Sequence, residues 1–333
     1  MKKGLFSQKS VIIGCLFLSA ALGLPAALAQ TTDPWEMRLT AQTVYGSYND
    51  ADLRDSLFGA GFFFGGDYLE KGGFTVGYTY TEVDGKGSGA GTFDTLEENT
   101  AYLSGKLHSY PDSFAGRLTW RLDGYLIKDD ASGKGSNNSN GQGNSGNAAG
   151  AYVAGDADIG VVNPIVTFMN NAKDLSFEMG YAYSNYDYDG GDEYQVHQVT
   201  PTMGFAVGGP ANWIQLRAYF IHISEDDVND GNNDTTAVEA KWTHWFGPSG
   251  PLGLDSVGLS GMLGERFLAV DSDAAVVYTL ADEQQGTVAL NGVWKLGEKT
   301  SVMLQGGYEQ YENRVIDNDY DSTYVYLNLS HKW

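Results

Sequence analysis

Residues 323–333 read TYVYLNLSHKW, and their alternation decides the fold. Val325, Leu327, Leu329, His331 and Trp333 fall on one side of an extended chain; Tyr324, Tyr326, Asn328, Ser330 and Lys332 fall on the other. Successive strand side chains point to opposite faces, so this is a strand with one largely apolar and one polar face. It stops on an aromatic residue at the last position of the sequence.

The same period of two recurs upstream in about fourteen segments of roughly ten residues, the length of a tilted membrane strand. Leu118, Trp120 and Leu122 alternate with Arg117, Thr119, Arg121 and Asp123; Phe177, Met179 and Tyr181 with Ser176, Glu178 and Gly180. Ile214, Leu216 and Phe220 alternate in the same way with Gln215, Arg217 and Tyr219. Alternation alone fits a soluble sandwich as well as a membrane barrel. The connections separate the two. Compact turns fall near 65–73, 109–113, 170–174, 208–212, 247–254 and 297–300. Between them lie longer acidic segments near 49–55, 83–98, 128–155, 187–193, 225–234, 269–285 and 313–321. Short turns on one rim and long loops on the other are the outer-membrane arrangement. Past the leader, no run approaches the ~18 consecutive apolar residues a membrane helix needs. A membrane chain without such helices must close its sheet to satisfy every backbone group.

The closing strand, with Val325, Leu327, Leu329 and Trp333 as its apolar stripe, resembles the C-terminal assembly signal of bacterial outer-membrane β-barrels. The chain from residue 30 onward resembles the monomeric fourteen-stranded porins. The resemblance implies an all-β fold, a transmembrane antiparallel up-and-down β-barrel of about fourteen strands, with twelve and sixteen as the neighbouring counts. It implies two periplasmic termini, a place in the outer membrane of a Gram-negative bacterium, and contact with lipid, lipopolysaccharide and the barrel assembly machinery. The activity it implies is that of a porin: passive diffusion of small hydrophilic solutes or ions, without cofactor or catalysis. The alternatives are a sleeve around a lumen-bound partner such as a multihaem cytochrome and, behind it, an outer-membrane hydrolase. Whether copies associate into a homo-oligomer stays open.

The N-terminus agrees with export. Lys2, Lys3 and Lys9 precede an apolar stretch over 11–24, and Ala27-Leu28-Ala29 forms a small-x-small cleavage site, so 1–29 read as a signal peptide and 30–333 as one barrel domain. Cys15, the only cysteine, lies in that leader, which leaves the remainder without disulfides, thiol catalysis or cysteine-bound metal. A formal charge of −22 argues against a nucleic-acid partner.

Aromatic residues suggest two girdles. Trp35, Trp213, Trp242, Trp245, Trp294 and Trp333 fall at the short-turn ends of strands; Tyr48, Tyr80, Tyr183, Tyr186, Tyr194, Tyr311 and Tyr320 fall toward the loop ends. Pro164 and Pro201 each delete a ladder hydrogen bond and predict irregularities. Residues 274–281 (AAVVYTLA) read as a hairpin extension above the membrane. The segment 129–155 holds a low-complexity run too poor in apolar side chains to pack, and reads as a mobile external loop.

With the apolar faces turned to lipid, the candidate pore-lining residues are Arg38, Lys106, Arg117, Arg121, Asp123, Glu178, Arg217, Glu239, Lys241, Lys295 and Glu309. An acidic mouth over this mostly basic lower lumen would draw cations to the entrance and favour anions in the narrow part. The acidic run at 226–234 lacks the closing Glu and flanking helices of an EF-hand, so a metal site is not assigned. The five histidines sit on separate strands with no local nucleophile signature.

Overall fold

A computed structural model describes residues 34–333 apart from 70, 87–93, 112–114, 133–155, 189–192, 248–249, 281 and 315. The signal segment and most of the 129–155 loop lie outside the described residues. Residues 129–132 are described and continue a strand rather than a loop.

The alternating segments become β1 (Trp35–Asn49), β2 (Arg54–Tyr68), β3 (Gly72–Gly85), β4 (Thr95–Ser109), β5 (Gly116–Ser132), β6 (Ala157–Asn170) and β7 (Leu175–Tyr188). They continue as β8 (Glu193–Ala206), β9 (Asn212–Ile223), β10 (Asp234–Trp245) and β11 (Leu254–Arg266). Two short strands, β12 (Val270–Asp271) and β13 (Val276–Val277), form a hairpin of their own; β14 (Glu283–Lys295), β15 (Thr300–Asn313) and β16 (Asn318–Lys332) complete the wall. The fourteen long strands make one closed antiparallel barrel in which each pairs with its neighbours in chain order. β16 closes on β1 in an unbroken register from Arg38↔Lys332 to Asn49↔Asp321. Trp333 extends that seam by exchanging backbone hydrogen bonds with Met37 (3.1 and 3.4 Å). Both chain ends therefore lie on one rim, here the terminal rim; the other is the loop rim.

Face assignment follows the parity read from sequence. Leu103, Leu122, Leu126, Phe177, Leu216, Val238, Leu263, Leu290 and Val325 stand exposed on the outer wall. A soluble surface rarely carries so continuous an apolar area, and this one suits lipid. The two prolines act as expected. The β6–β7 ladder skips from Val162↔Tyr183 to Ile165↔Gly180 across Pro164, and the β8–β9 ladder skips from Val199↔Phe220 to Thr202↔Arg217 across Pro201.

Three expectations need correction. The connections near 49–55, 187–193 and 313–321 are compact, because only residues 50–53, 189–192 and 314–317 separate the strands they join. The tyrosine girdle is largely internal: Tyr48, Tyr186, Tyr194 and Tyr320 are buried, at positions whose parity faces the lumen. Tyr suits either place, since its ring packs while its hydroxyl still seeks a partner, and ring type alone does not tell inside from outside.

The third correction is the largest. Residues 267–282 do not extend above the membrane; they fold back into the barrel. Phe267, Leu268, Ala269 and Val270 are buried against Tyr125, Ile159, Tyr186, Val196, Tyr219 and Ile221 of the inner wall. The physical reason lies in the sequence just before 274–281. Four consecutive apolar residues left in water would forgo roughly 1.5–3 kcal/mol for each large side chain. The inner wall of β5–β9 near the loop rim is itself apolar, and the two surfaces cover each other.

Candidate functional site

The inserted hairpin divides the lumen. Near the loop rim every wall strand sends a buried side chain inward: Tyr48, Arg54, Val83, Leu96, Ile127, Ile159, Tyr186, Tyr194, Ile221, Thr235, Arg266, Gln284, Asn313 and Tyr320. Leu280 packs among Tyr48, Val83, Leu96 and Tyr320, while Val270 and Val277 pack on the opposite wall. Asp282 pairs with the buried Arg54, which also donates to the Tyr320 hydroxyl, and accepts from Asn313 Nδ2 at 2.8 Å. The loop-side half of the lumen is thus a packed core. Below it a cavity of about 720 Å³ runs along β14–β16 and β1–β4 and reaches β10 and β11, with the hairpin lining it on the far side. It extends from Arg38 and Asn328 near the terminal rim to Tyr48, Arg54 and Tyr320, where it ends against the packed set.

A charge cluster holds the hairpin tip. Arg217 is nearly inaccessible and faces four acids: Asp273 at 2.8 Å, Asp271 at 3.6 Å, Glu239 at 3.7 Å and Glu178 at 3.8 Å. Lys241 Nζ reaches Asp273 at 3.1 Å and Glu239 at 3.4 Å. Arg121 pairs with the fully buried Asp123 at 3.0 Å and donates to the Ser272 carbonyl at 3.3 Å. Arg266 lies over the Tyr278 ring at 4.4 Å and within 4.0 Å of Asp271. Gln198 completes the anchorage by acting as a strand edge: its Nε2 donates to the Val270 carbonyl at 2.8 Å, and its Oε1 accepts from the Val270 amide at 2.9 Å. Buried charges persist only when paired; here Arg121–Asp123 and Lys241–Glu239 pair along one strand, while Arg217, Lys241 and Arg266 of the wall pair with Asp271 or Asp273 of the hairpin.

This arrangement alters the electrostatic expectation. Asp271 and Asp273, which belong to the segment 269–285 read from sequence as one of the long acidic connections, lie against the basic side chains of the lower lumen. The expected separation of an acidic entrance from a basic constriction is absent at this cluster, where the signs interleave. The remaining sequence candidates are scattered. Arg38 and Lys106 share Asp67 (3.5 and 2.6 Å), and Lys295 pairs with Asp255 at 2.5 Å. Glu309 accepts from the Tyr311 hydroxyl at 2.6 Å. Arg117 stands at the terminal-rim end of β5. Arg38, Glu239, Lys241 and Glu309 contribute to the cavity lining; Lys106, Arg117, Arg121, Asp123, Glu178, Arg217 and Lys295 do not. Sequence reasoning missed Gln198, Asp271 and Asp273 as site residues. The available signal was the FLAV run at 267–270, whose apolarity is out of place in an external loop. Among the described residues, no group of three or more His, Cys, Asp or Glu side chains is placed to hold a metal ion.

The anchorage has a defined response to acid. Burial opposes ionisation of Asp273, yet Arg217 and Lys241 outweigh it and hold the carboxyl well below the usual range. A carboxyl depressed in the folded state contributes stability that is present above its unfolded value of about 3.9 and lost as pH falls through the folded value. The contribution of Asp273 to hairpin docking should therefore be constant from pH 8 to pH 5. Single-channel records across that interval should show no step in open probability attributable to the tip.

No family model and no curated protein matches the chain. Among solved structures it is similar to the TodX deltaS2S3 mutant, a monoaromatic hydrocarbon channel, with a TM-score of 0.57 at 10% identity over 94% of each chain. The TodX deltaS2 mutant gives 0.51 at 11% identity over 94% of this chain and 93% of that one; TodX itself is a toluene transporter of Pseudomonas putida. An outer-membrane channel from Pseudomonas putida F1 aligns over 93% of this chain and 99% of that one, at 12% identity and a TM-score of 0.45. At these identities the likeness is one of architecture: the chain has the closed β-barrel fold seen in outer-membrane channels.

Proposed function

We propose that the protein is an outer-membrane channel for passive diffusion of small hydrophilic solutes, with the terminal rim in the periplasm and the bore displaced to one side by its inserted hairpin. The observation that carries this reading is the cavity along β14–β16 and β1–β4. It lies inside a wall whose outer face is apolar, and its lining sets hydroxyl and amide side chains such as Thr40, Gln42, Thr79, Asn291, Gln305 and Asn328 among apolar ones such as Leu57, Phe63 and Met303. Polar side chains turned inward behind an apolar exterior are the membrane-channel inversion of a soluble barrel. Near the loop rim the described inner-wall side chains pack against the hairpin, and on this reading transit requires the hairpin to shift.

The sleeve alternative loses ground on one observation. The chain's own hairpin and inner-wall side chains fill the loop-side lumen, and the cavity of about 720 Å³ is of small-ligand size. A folded partner such as a cytochrome has no room beside them.

The test is single-channel recording of refolded residues 30–333 in a planar bilayer under a KCl gradient. Discrete openings with a defined reversal potential support the channel. A folded, heat-modifiable barrel that stays silent at every voltage would remove the reading.

A further inference from the structure

Two glycines shape the cavity wall in the same way. At Gly307 of β15 an added Cβ would overlap Cε1, Cζ and Oη of Tyr324, its cross-strand partner on β16. At Gly77 of β3 an added Cβ would overlap the ring of Phe63, its partner on β2. Each ring therefore occupies space that a side chain at the facing glycine would fill, and each helps line the lumen cavity. A glycine inside a strand is costly unless something needs the close approach, and here an aromatic ring does.

Amides continue along the wall from the first of these rings toward the terminal rim, where Gln42 and Asn328 face each other across the seam. Gln305 Nε2 donates to the Tyr324 hydroxyl at 2.8 Å. The Tyr326 hydroxyl donates to Gln42 Oε1 at 2.8 Å and accepts from Asn328 Nδ2 at 3.1 Å. Each of these bonds uses one end of the amide, so the Gln42 NH2, the Gln305 carbonyl and the Asn328 carbonyl keep capacity for a ligand. Each cation of the cavity lining has an acidic partner: Arg38 with Asp67, Arg54 with Asp282, Lys241 with Asp273 and Glu239, Arg266 with Asp271. The two Arg54 nitrogens without a hydrogen bond, Nε and Nη2, are themselves buried, so an anionic solute would meet only cations already paired with an acid.

We propose that this wall is a binding site for a neutral, polyhydroxylated solute of the saccharide class, seated with a ring face on Tyr324 and its hydroxyls on the amides of Gln42, Gln305 and Asn328. A sugar ring presents an apolar C–H face and a polar hydroxyl rim, and the wall alternates the same two chemistries. A hydrocarbon would cover the ring equally well but strip water from three amides without replacing their hydrogen bonds, which is unfavourable. The inference rests on the proposed channel for its biological meaning, although binding itself does not require conduction.

The experiment is therefore a binding measurement on the full barrel folded in detergent, by saturation-transfer NMR and calorimetry, with maltose, gluconate and toluene as probes. Maltose should bind saturably, and Tyr324→Ala should weaken it about tenfold, the scale of one lost aromatic contact. Tyr324→Phe keeps the ring face and should retain most of the affinity, which guards against a mere folding defect. Gln42→Ala should weaken maltose without creating toluene binding. No saturable maltose binding, equal affinity in Tyr324→Ala, or a preference for gluconate or toluene would each overturn the assignment. A barrel that binds maltose but passes no current would sink the channel reading and leave this site standing; the converse would sink the site alone.

Discussion

Excising residues 268–280 and joining the ends with a four-residue Gly-Ser linker should raise the unitary conductance severalfold and hold the channel open. The hairpin is the element that brings Val270, Val277 and Leu280 into both packed sets of the loop-side lumen, so its removal joins the cavity to that rim. The barrel itself should survive, because the ladder on either side of the insertion runs directly between β11 and β14. Shortening a flexible connection also carries a small entropic benefit rather than a cost. The expense falls on the inner wall. Tyr186, Val196, Tyr219 and Ile221 lose their cover, and each exposed large side chain costs roughly 1.5–3 kcal/mol. The heat-modifiable transition should move to lower temperature while the folded band persists. A milder variant separates plug from scaffold: Gln198→Leu removes the two hydrogen bonds that clamp Val270 but leaves the chain intact. It should give flickering openings between the closed and excised levels. If the excised barrel folds and conducts no better than the parent, the hairpin is not what closes the passage.

How much of this was readable from the residues alone divides cleanly by range. The wall was legible because a period of two is a local property. Leu122 and Leu126 faced out and Arg121 and Asp123 faced in as parity demanded, and the closing strand ended at the seam it implied. The Pro164 and Pro201 interruptions followed from a missing donor, also local. The hairpin was not legible, because its position depends on Gln198 meeting Val270 and Arg217 meeting Asp273 across long stretches of chain. Nothing in AAVVYTLA distinguishes a hairpin above the rim from one below it. The Tyr324–Gly307 and Phe63–Gly77 pairs were hidden for a related reason: each residue has inward parity, but only the register sets ring against glycine.

If the proposed channel passes ions by this cluster, the same long-range pairing should set their preference, and Asp271→Asn with Asp273→Asn should shift it toward anions. At the hairpin tip four basic side chains (Arg121, Arg217, Lys241 and Arg266) stand against five acids (Asp123, Glu178, Glu239, Asp271 and Asp273). The double substitution leaves four against three, which restores the basic constriction expected from the wall residues alone. Two effects then act together. Arg217 loses its nearest counter-ion at 2.8 Å. Because Arg217 is buried while Asp273 is partly exposed, the loss is smaller than for a fully buried pair. It still leaves a buried charge short of a partner, so the tip should loosen and openings should lengthen. The exposed cations should also draw chloride into the passage, moving the reversal potential under a KCl gradient from the cation side of zero, or near it, to the anion side. A matched control removes the same formal charge from the rim. Asp317→Asn with Asp319→Asn alters two exposed acids, whose field beyond about 8–10 Å is screened at ordinary salt; it should leave the reversal potential almost unmoved. An equal shift from both pairs would mean that selectivity is set by the net charge of the mouth. No shift from the first pair would mean that ions do not pass the Arg217 cluster, and the conducting path would have to run along the Gln42 wall alone.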